Sequence, residues 1–155
     1  KEIVQYDQYF YPQDYFIDWN KAYGKKGMFQ IQFLVPKEKF RDILSQIHHF
    51  FKEEGIFSSF IVIKKMNEKG KYLNFAGTGY SVSLDFTINS QFLLLKNFLN
   101  KIVKENKLKV NFAKDFISNE SIALNYKEFK KFKSGVKAIN KKNIINSSFS
   151  KRINI

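Results

Sequence analysis

An α+β architecture, one antiparallel sheet with helices on one face, follows from three features of this chain. Two segments alternate with a strict period of two, other segments carry apolar residues at helical spacing, and the two kinds are interleaved along the sequence. In Met28–Val35 the residues Phe29, Ile31, Phe33 and Val35 point one way and Gln30 and Gln32 the other. In Tyr80–Phe86 the apolar row is Tyr80, Val82, Leu84 and Phe86, opposite Ser81, Ser83 and Asp85. Strands of this kind bury one face and keep amide, hydroxyl and carboxylate groups on the other. That polar face suits a polar small molecule better than a second hydrophobic layer, and it is where function is expected.

The elements follow in order. Tyr6–Phe16 is dense in aromatics around Pro12, which predicts an extended approach to the proline and then a helical turn through Trp19 ending near Gly24. A strand over 28–35 stops at Pro36. Phe40, Ile43, Leu44, Ile47 and Phe51 then recur at helical spacing up to Gly55. Phe57 to Met66 reads as a second strand and Asn67 to Gly79 as a loop marked by Gly70, Gly77 and Gly79. After the strand at 80–87, Asn89 or Ser90 caps a helix whose stripe is Phe92, Leu95, Phe98, Leu99, Ile102 and Val103. Leu108–Phe112 is a short last strand. The resulting strand–helix–strand–strand–helix–strand order is the βαββαβ pattern of ferredoxin-like modules. A further helix is expected from about Asn119 through Tyr126, Phe129, Phe132 and Val136, followed by a polar tail.

Composition limits the function classes. With 155 residues, 44% hydrophobic and 17% aromatic, the chain can bury a real core as one unit. It has no cysteine, which excludes disulfides and thiolate metal sites and fits a reducing, cytoplasmic location. No apolar run approaches the ~20 residues of a spanning helix, and Lys1 heads no signal-peptide pattern. The chain starts without Met, as a fragment of something longer would. A formal net charge of +13 invites an anionic partner, but lysine is used along the whole length, as in a general composition bias. The imbalance is greatest from Tyr126 onward, with nine Lys or Arg against Glu128 alone.

Gln30 and Gln32, two apart on a strand, project to one face, where each amide can donate to and accept from polyol hydroxyls or a flavin edge. The alternative is an ordinary solvent face. Lys114 lies just past a strand end, where ligand-facing residues often sit. Asp85 either orients a lysine or a substrate hydroxyl or is a plain surface carboxylate. His48 and His49, adjacent in a helix, diverge by about 100° and make a poor metal pair, so no metal site is expected. Gly77-Thr78-Gly79 is too short a signal for a phosphate loop. The same βαββαβ order serves RNA recognition, yet that needs stacking rings where this chain has Ser81, Ser83 and Asp85.

The runs Tyr9-Phe10-Tyr11-Pro12-Gln13-Asp14, Trp19-Asn20-Lys21-Ala22-Tyr23-Gly24 and Gly27–Pro36 resemble the C-terminal part of the decaprenylphosphoryl-β-D-ribose oxidase group. These are FAD-linked enzymes of the vanillyl-alcohol oxidase superfamily, akin to the aldonolactone oxidases. The likeness continues through Ser59-Phe60, Lys65, Gly79-Tyr80, Asp85-Phe86, Ala113-Lys114-Asp115, Tyr126, Ser147 and Lys151-Arg152. The resemblance implies a cap sheet that covers a flavin held by a separate domain and holds a sugar against it. By that resemblance Gln30 and Gln32 contact substrate or flavin, Lys65 lines the same pocket, and Lys114 lies beside the flavin ring and the sugar as the catalytic residue. Family members carry Asn and Cys where this chain has Ser81 and Ser83, Tyr where it has Asn111, and Asp-Pro where it has Asn140-Lys141. These positions are expected to tune the choice of sugar.

The expectation is therefore a partial substrate or cap domain over residues 1–110 and a segment over 111–155 that returns to a flavin-binding domain in the same or a companion chain. The whole enzyme would oxidise a hydroxyl of a sugar or polyol derivative by hydride transfer to FAD, and the fragment alone would be inactive. A membrane surface is a further candidate partner. The competing reading is a non-enzymatic basic module of ferredoxin-like topology that binds nucleic acid or an acidic partner, and a third is a structural domain docking through the aromatic Tyr6–Tyr15 stretch.

Overall fold

The structure, a computed structural model, describes residues 3–11, 17, 18, 21, 23–115 and 117–155. A short helix α1 (Tyr6–Phe10) precedes strand β1 (Met28–Val35), helix α2 (Phe40–Glu54), β2 (Phe60–Asn67), β3 (Thr78–Thr87), α3 (Phe92–Glu105) and β4 (Lys109–Val110). Three helices complete the chain: α4 (Glu120–Ala123), α5 (Phe129–Ile139) and α6 (Ser148–Arg152). Among the described residues no helix is long and apolar enough to cross a membrane. Pro12 and Trp19, and with them the predicted turn, lie outside the described residues.

The four strands form one sheet in the order β2-β3-β1-β4. All neighbours are antiparallel, with Phe29 opposite Phe86, Ile63 opposite Val82 and Phe33 opposite Val110. Helix α2 joins β1 to β2 with β3 between them, and α3 joins β3 to β4 with β1 between them. Gly79, at φ 144°, lets β3 start against the end of β1; a Cβ there would sit 2.2 Å from the Val35 carbonyl oxygen.

The apolar rows meet the two long helices. Phe29, Ile31, Phe33 and Val35 of β1 and Val82, Leu84 and Phe86 of β3 pack with Ile43 and Ile47 of α2 and Leu95, Leu99, Ile102 and Val103 of α3. Phe50 and Phe98 stack 3.8 Å apart between the helices. Each side chain buried in this layer contributes about 1.5–3 kcal/mol. Helix α2 ends because Gly55 takes a left-handed φ of 62°, letting the Ile56 N–H reach the Phe51 carbonyl at 2.9 Å.

The C-terminal part departs from expectation in two places. The single helix predicted from Asn119 through Val136 is broken into α4 and α5, because Tyr126 and Asn125 are tied to the sheet edge between them. The Tyr126 hydroxyl donates to the Val110 carbonyl and Asn125 Nδ2 to that of Leu108, each at 2.7 Å. The predicted polar tail contains α6, started by a capping box of Ser147 and Ser150 and anchored by fully buried Ile153. Ala123, Tyr126, Phe129 and Ile153 make a second small cluster, while Ile117 and Ile122 join the main core.

Candidate functional site

Residues directly opposite on neighbouring strands share a face. The register therefore puts Gln30 with Asp85, Gln32 with Ser83 and Leu34 with Ser81 on the face away from α2 and α3. On the other side of β3 the same face takes Phe60, Val62 and Lys64, opposite Asp85, Ser83 and Ser81. Of the sequence-predicted residues, Gln30, Gln32, Ser81 and Ser83 are brought together here. Their exposure differs from the open row expected: Ser81, Ser83 and Asp85 keep only 1%, 5% and 6% of their surface. The longer glutamine side chains of β1 reach across to β3, Gln30 Nε2 donating to Asp85 Oδ1 at 2.5 Å and Gln32 Nε2 to Ser81 Oγ at 2.7 Å. Both glutamines are half-buried, and the serines alongside them are buried.

Asn111 and Lys114 join this floor from the chain leaving β4. The Asn111 N–H donates to the Gln32 carbonyl at 2.8 Å, and its Nδ2 donates to Gln32 Oε1 at 2.6 Å. Lys114 closes a turn by donating its N–H to the Asn111 carbonyl at 2.8 Å, and its own carbonyl accepts the Gln32 N–H at 3.0 Å. Asn111 Oδ1 accepts from the Ala113 N–H at 3.1 Å, tightening the same turn. The lysine side chain is exposed, on a backbone pinned from one side to the strand that carries both glutamines.

Lys65 is not brought to this face. It stands opposite Tyr80, in the row of Ile61 and Ile63, and lines a cavity of about 180 Å³ with Lys37, Met66, Asn67, Thr78, Gly79 and Tyr80. Its neighbour Lys64, opposite Ser81, shares the face with Gln32. A one-residue choice of strand phase separates the two, and adjacent identical residues give no compositional clue to it.

Two further groups adjoin the face. The Tyr23 phenol is raised from the ordinary tyrosine value, first by burial and then by the negative charge of Asp85. At the opposite end Lys109 donates to the Ala76 carbonyl at 2.7 Å and lies over the Tyr126 ring. Burial, and then the charge of Lys127, push its pKa down. A larger cavity of about 400 Å³ lies away from the sheet, between the end of α5 and Asn154. Among the described residues no group of three or more His, Cys, Asp or Glu is placed to hold a metal.

Chemically the floor offers two amides in fixed orientation, a cation on a pinned turn and a second cation on β2. This donor set fits the polar edge of a planar heterocycle or a row of sugar hydroxyls. No protein-family model matches the chain. Over 93 residues, 57% of its length, it is 32% identical to the decaprenylphosphoryl-β-D-ribose oxidase of Mycolicibacterium smegmatis. The likeness is partial: it spans 19% of that protein. The chain is thus a distant partial relative of an oxidase.

Proposed function

We propose that this chain is the substrate-covering part of an FAD-dependent oxidoreductase that removes hydride from a hydroxyl-bearing carbon of a sugar or polyol derivative. The single observation that carries the reading is the joining of Gln30, Gln32, Asn111 and the Lys114 turn into one hydrogen-bonded floor. The partial likeness to an oxidase of a sugar-bearing lipid phosphate supports it. FAD, held mainly by a flavin-binding module in the same or a companion chain, would supply the hydride-accepting ring over this floor. The interleaving of the two helical crossovers supports reading the sheet as ferredoxin-like.

In this reading Gln30 and Gln32 fix the orientation of whatever lies on the floor, because their amides are already committed to Asp85, Ser81 and Asn111 and cannot rotate freely. With FAD bound, the Lys114 ammonium would offer a fixed positive charge to the pyrimidine edge of the ring, which would supply the hydride-accepting chemistry. Lys64 takes the place assigned to Lys65, as the cation that holds a substrate oxygen. Ser81, Ser83 and Asn111 shape the floor alongside the glutamines. The residues from 111 onward pack toward the flavin module, and the complete enzyme works on the cytoplasmic side, at a membrane surface if its substrate is lipid-linked.

The test is to purify the complete polypeptide that carries this chain and look for bound flavin and its bleaching by sugars and polyols. Bleaching in wild type and its loss in Lys114→Ala is the expected result. A flavin-containing protein reduced equally well by both removes Lys114 from the mechanism.

A further inference from the structure

Asp115 follows Lys114 directly, and its side chain is wholly shut off from solvent. Oδ1 accepts the Ser118 N–H at 2.7 Å and lies 3.8 Å from Arg152 Nη1 on α6. The other oxygen, Oδ2, has no hydrogen-bond partner among the described residues, and neither has the buried Ser118 Oγ. A buried carboxylate with spare acceptor sites is costly to keep unless a cation answers it. Arg152 is the cation in reach, and its planar fork can serve both oxygens of one carboxylate, which a lysine cannot. The guanidinium is also stacked 5.9 Å from the Phe149 ring centroid, on a helix whose next residue, Ile153, is fully buried.

We propose that Asp115 is a positioning residue for Lys114, and that with Arg152 it forms a latch between the lysine turn and α6. On its N-terminal side the turn is held by Asn111 and Gln32. Beyond the lysine, Asp115 supplies the anchor, so the ammonium stands between two fixed points. Tyr126, whose phenol feels the Asp115 charge, belongs to the second hydrophobic cluster, against which Phe149 of α6 also packs. The role given to Lys114 rests on the flavin reading; the latch itself does not.

The test uses the complete polypeptide and the variants Asp115→Asn, Arg152→Ala and Arg152→Lys. The first readout is amide hydrogen exchange across residues 111–115, which is expected to rise about tenfold in all three while β1 and β3 stay protected. The second is the affinity of the bound flavin for sulfite, which adds reversibly to the ring and is favoured by a cation at the pyrimidine edge. It is expected to weaken about tenfold in the same variants, with Lys114→Ala as the limiting case and no further loss when Asp115→Asn is added to Arg152→Ala. Unchanged exchange at 111–115, or a rise spread equally over β1 and β3, overturns the latch. Faster exchange with unchanged sulfite affinity overturns the positioning of Lys114. A wild-type protein with no flavin refutes the flavin reading and the lysine's role with it, and the exchange result alone then decides the latch.

Discussion

Asn111 and Gln32 are bonded to each other twice, once through backbone at 2.8 Å and once through their side-chain amides at 2.6 Å. The pairing extends the sheet edge beyond the two residues of β4 and sets the start of the turn that ends at Lys114. Removing one amide leaves the Gln32 oxygen half-buried without its donor. Asn111→Ala should therefore lower stability by about 1–2 kcal/mol in urea titrations, with an unchanged denaturant slope. A loss within error of zero would mean that solvent serves Gln32 equally well.

The phase of β2 separates two neighbouring lysines. Lys64 stands opposite Ser81 and Lys65 opposite Tyr80. In steady-state assays of the complete protein, Lys64→Ala should raise the substrate KM about tenfold, the order expected for losing a charge-assisted hydrogen bond. Lys65→Ala should change it less than about twofold, since exposed charges away from a site contribute little. The reverse pattern would show that β2 pairs one residue out of step with the register described.

Tyr126 links stability to alkaline pH. Burial, and then the Asp115 charge, raise its phenol well above the ordinary value of about 10. Above that value the unfolded chain loses the phenolic proton while the folded one keeps it. The contribution is thus complete below pH 10 and drains away as pH rises toward the folded pKa. Thermal melts between pH 9 and 11 should fall more steeply for wild type than for Tyr126→Phe. At neutral pH the same variant should cost about 1 kcal/mol, through the lost bond to the Val110 carbonyl.

Asp85 acts on Tyr23 through its charge. Burial is the larger cause of the raised Tyr23 phenol, and the carboxylate adds to it. Asp85→Asn keeps the side-chain volume and removes the charge, so the Tyr23 pKa should move down toward the ordinary value without reaching it. A titration of ring-labelled tyrosine by NMR reads this directly. An unmoved resonance would put the ring and the carboxylate out of electrostatic reach.

Much of the fold is legible because its signals are local. The alternation in Met28–Val35 and Tyr80–Phe86 gives both the strands and their buried rows, and Gly55 ends α2 where a left-handed residue is needed. Tyr126, Phe129, Phe132 and Val136 keep helical spacing across a break, because the break comes from the Tyr126 hydroxyl reaching Val110, a contact that spacing does not encode. Likewise the polar character of Ser81, Ser83 and Asp85 is plain in the sequence, whereas their burial, and the bonds from Gln30 to Asp85 and from Gln32 to Ser81, depend on which strand lies alongside. Asp115 has no sequence signal beyond its place after Lys114. Its weight comes from Arg152, distant in the chain and close in space.

The most direct measurement is a crystal structure of the complete polypeptide with its flavin bound. The isoalloxazine ring is expected on the floor formed by Gln30 and Gln32, with Lys114 Nζ at about 3 Å from the pyrimidine edge. A ring bound elsewhere, with Gln30, Gln32 and Lys114 facing only solvent, would contradict the flavin reading.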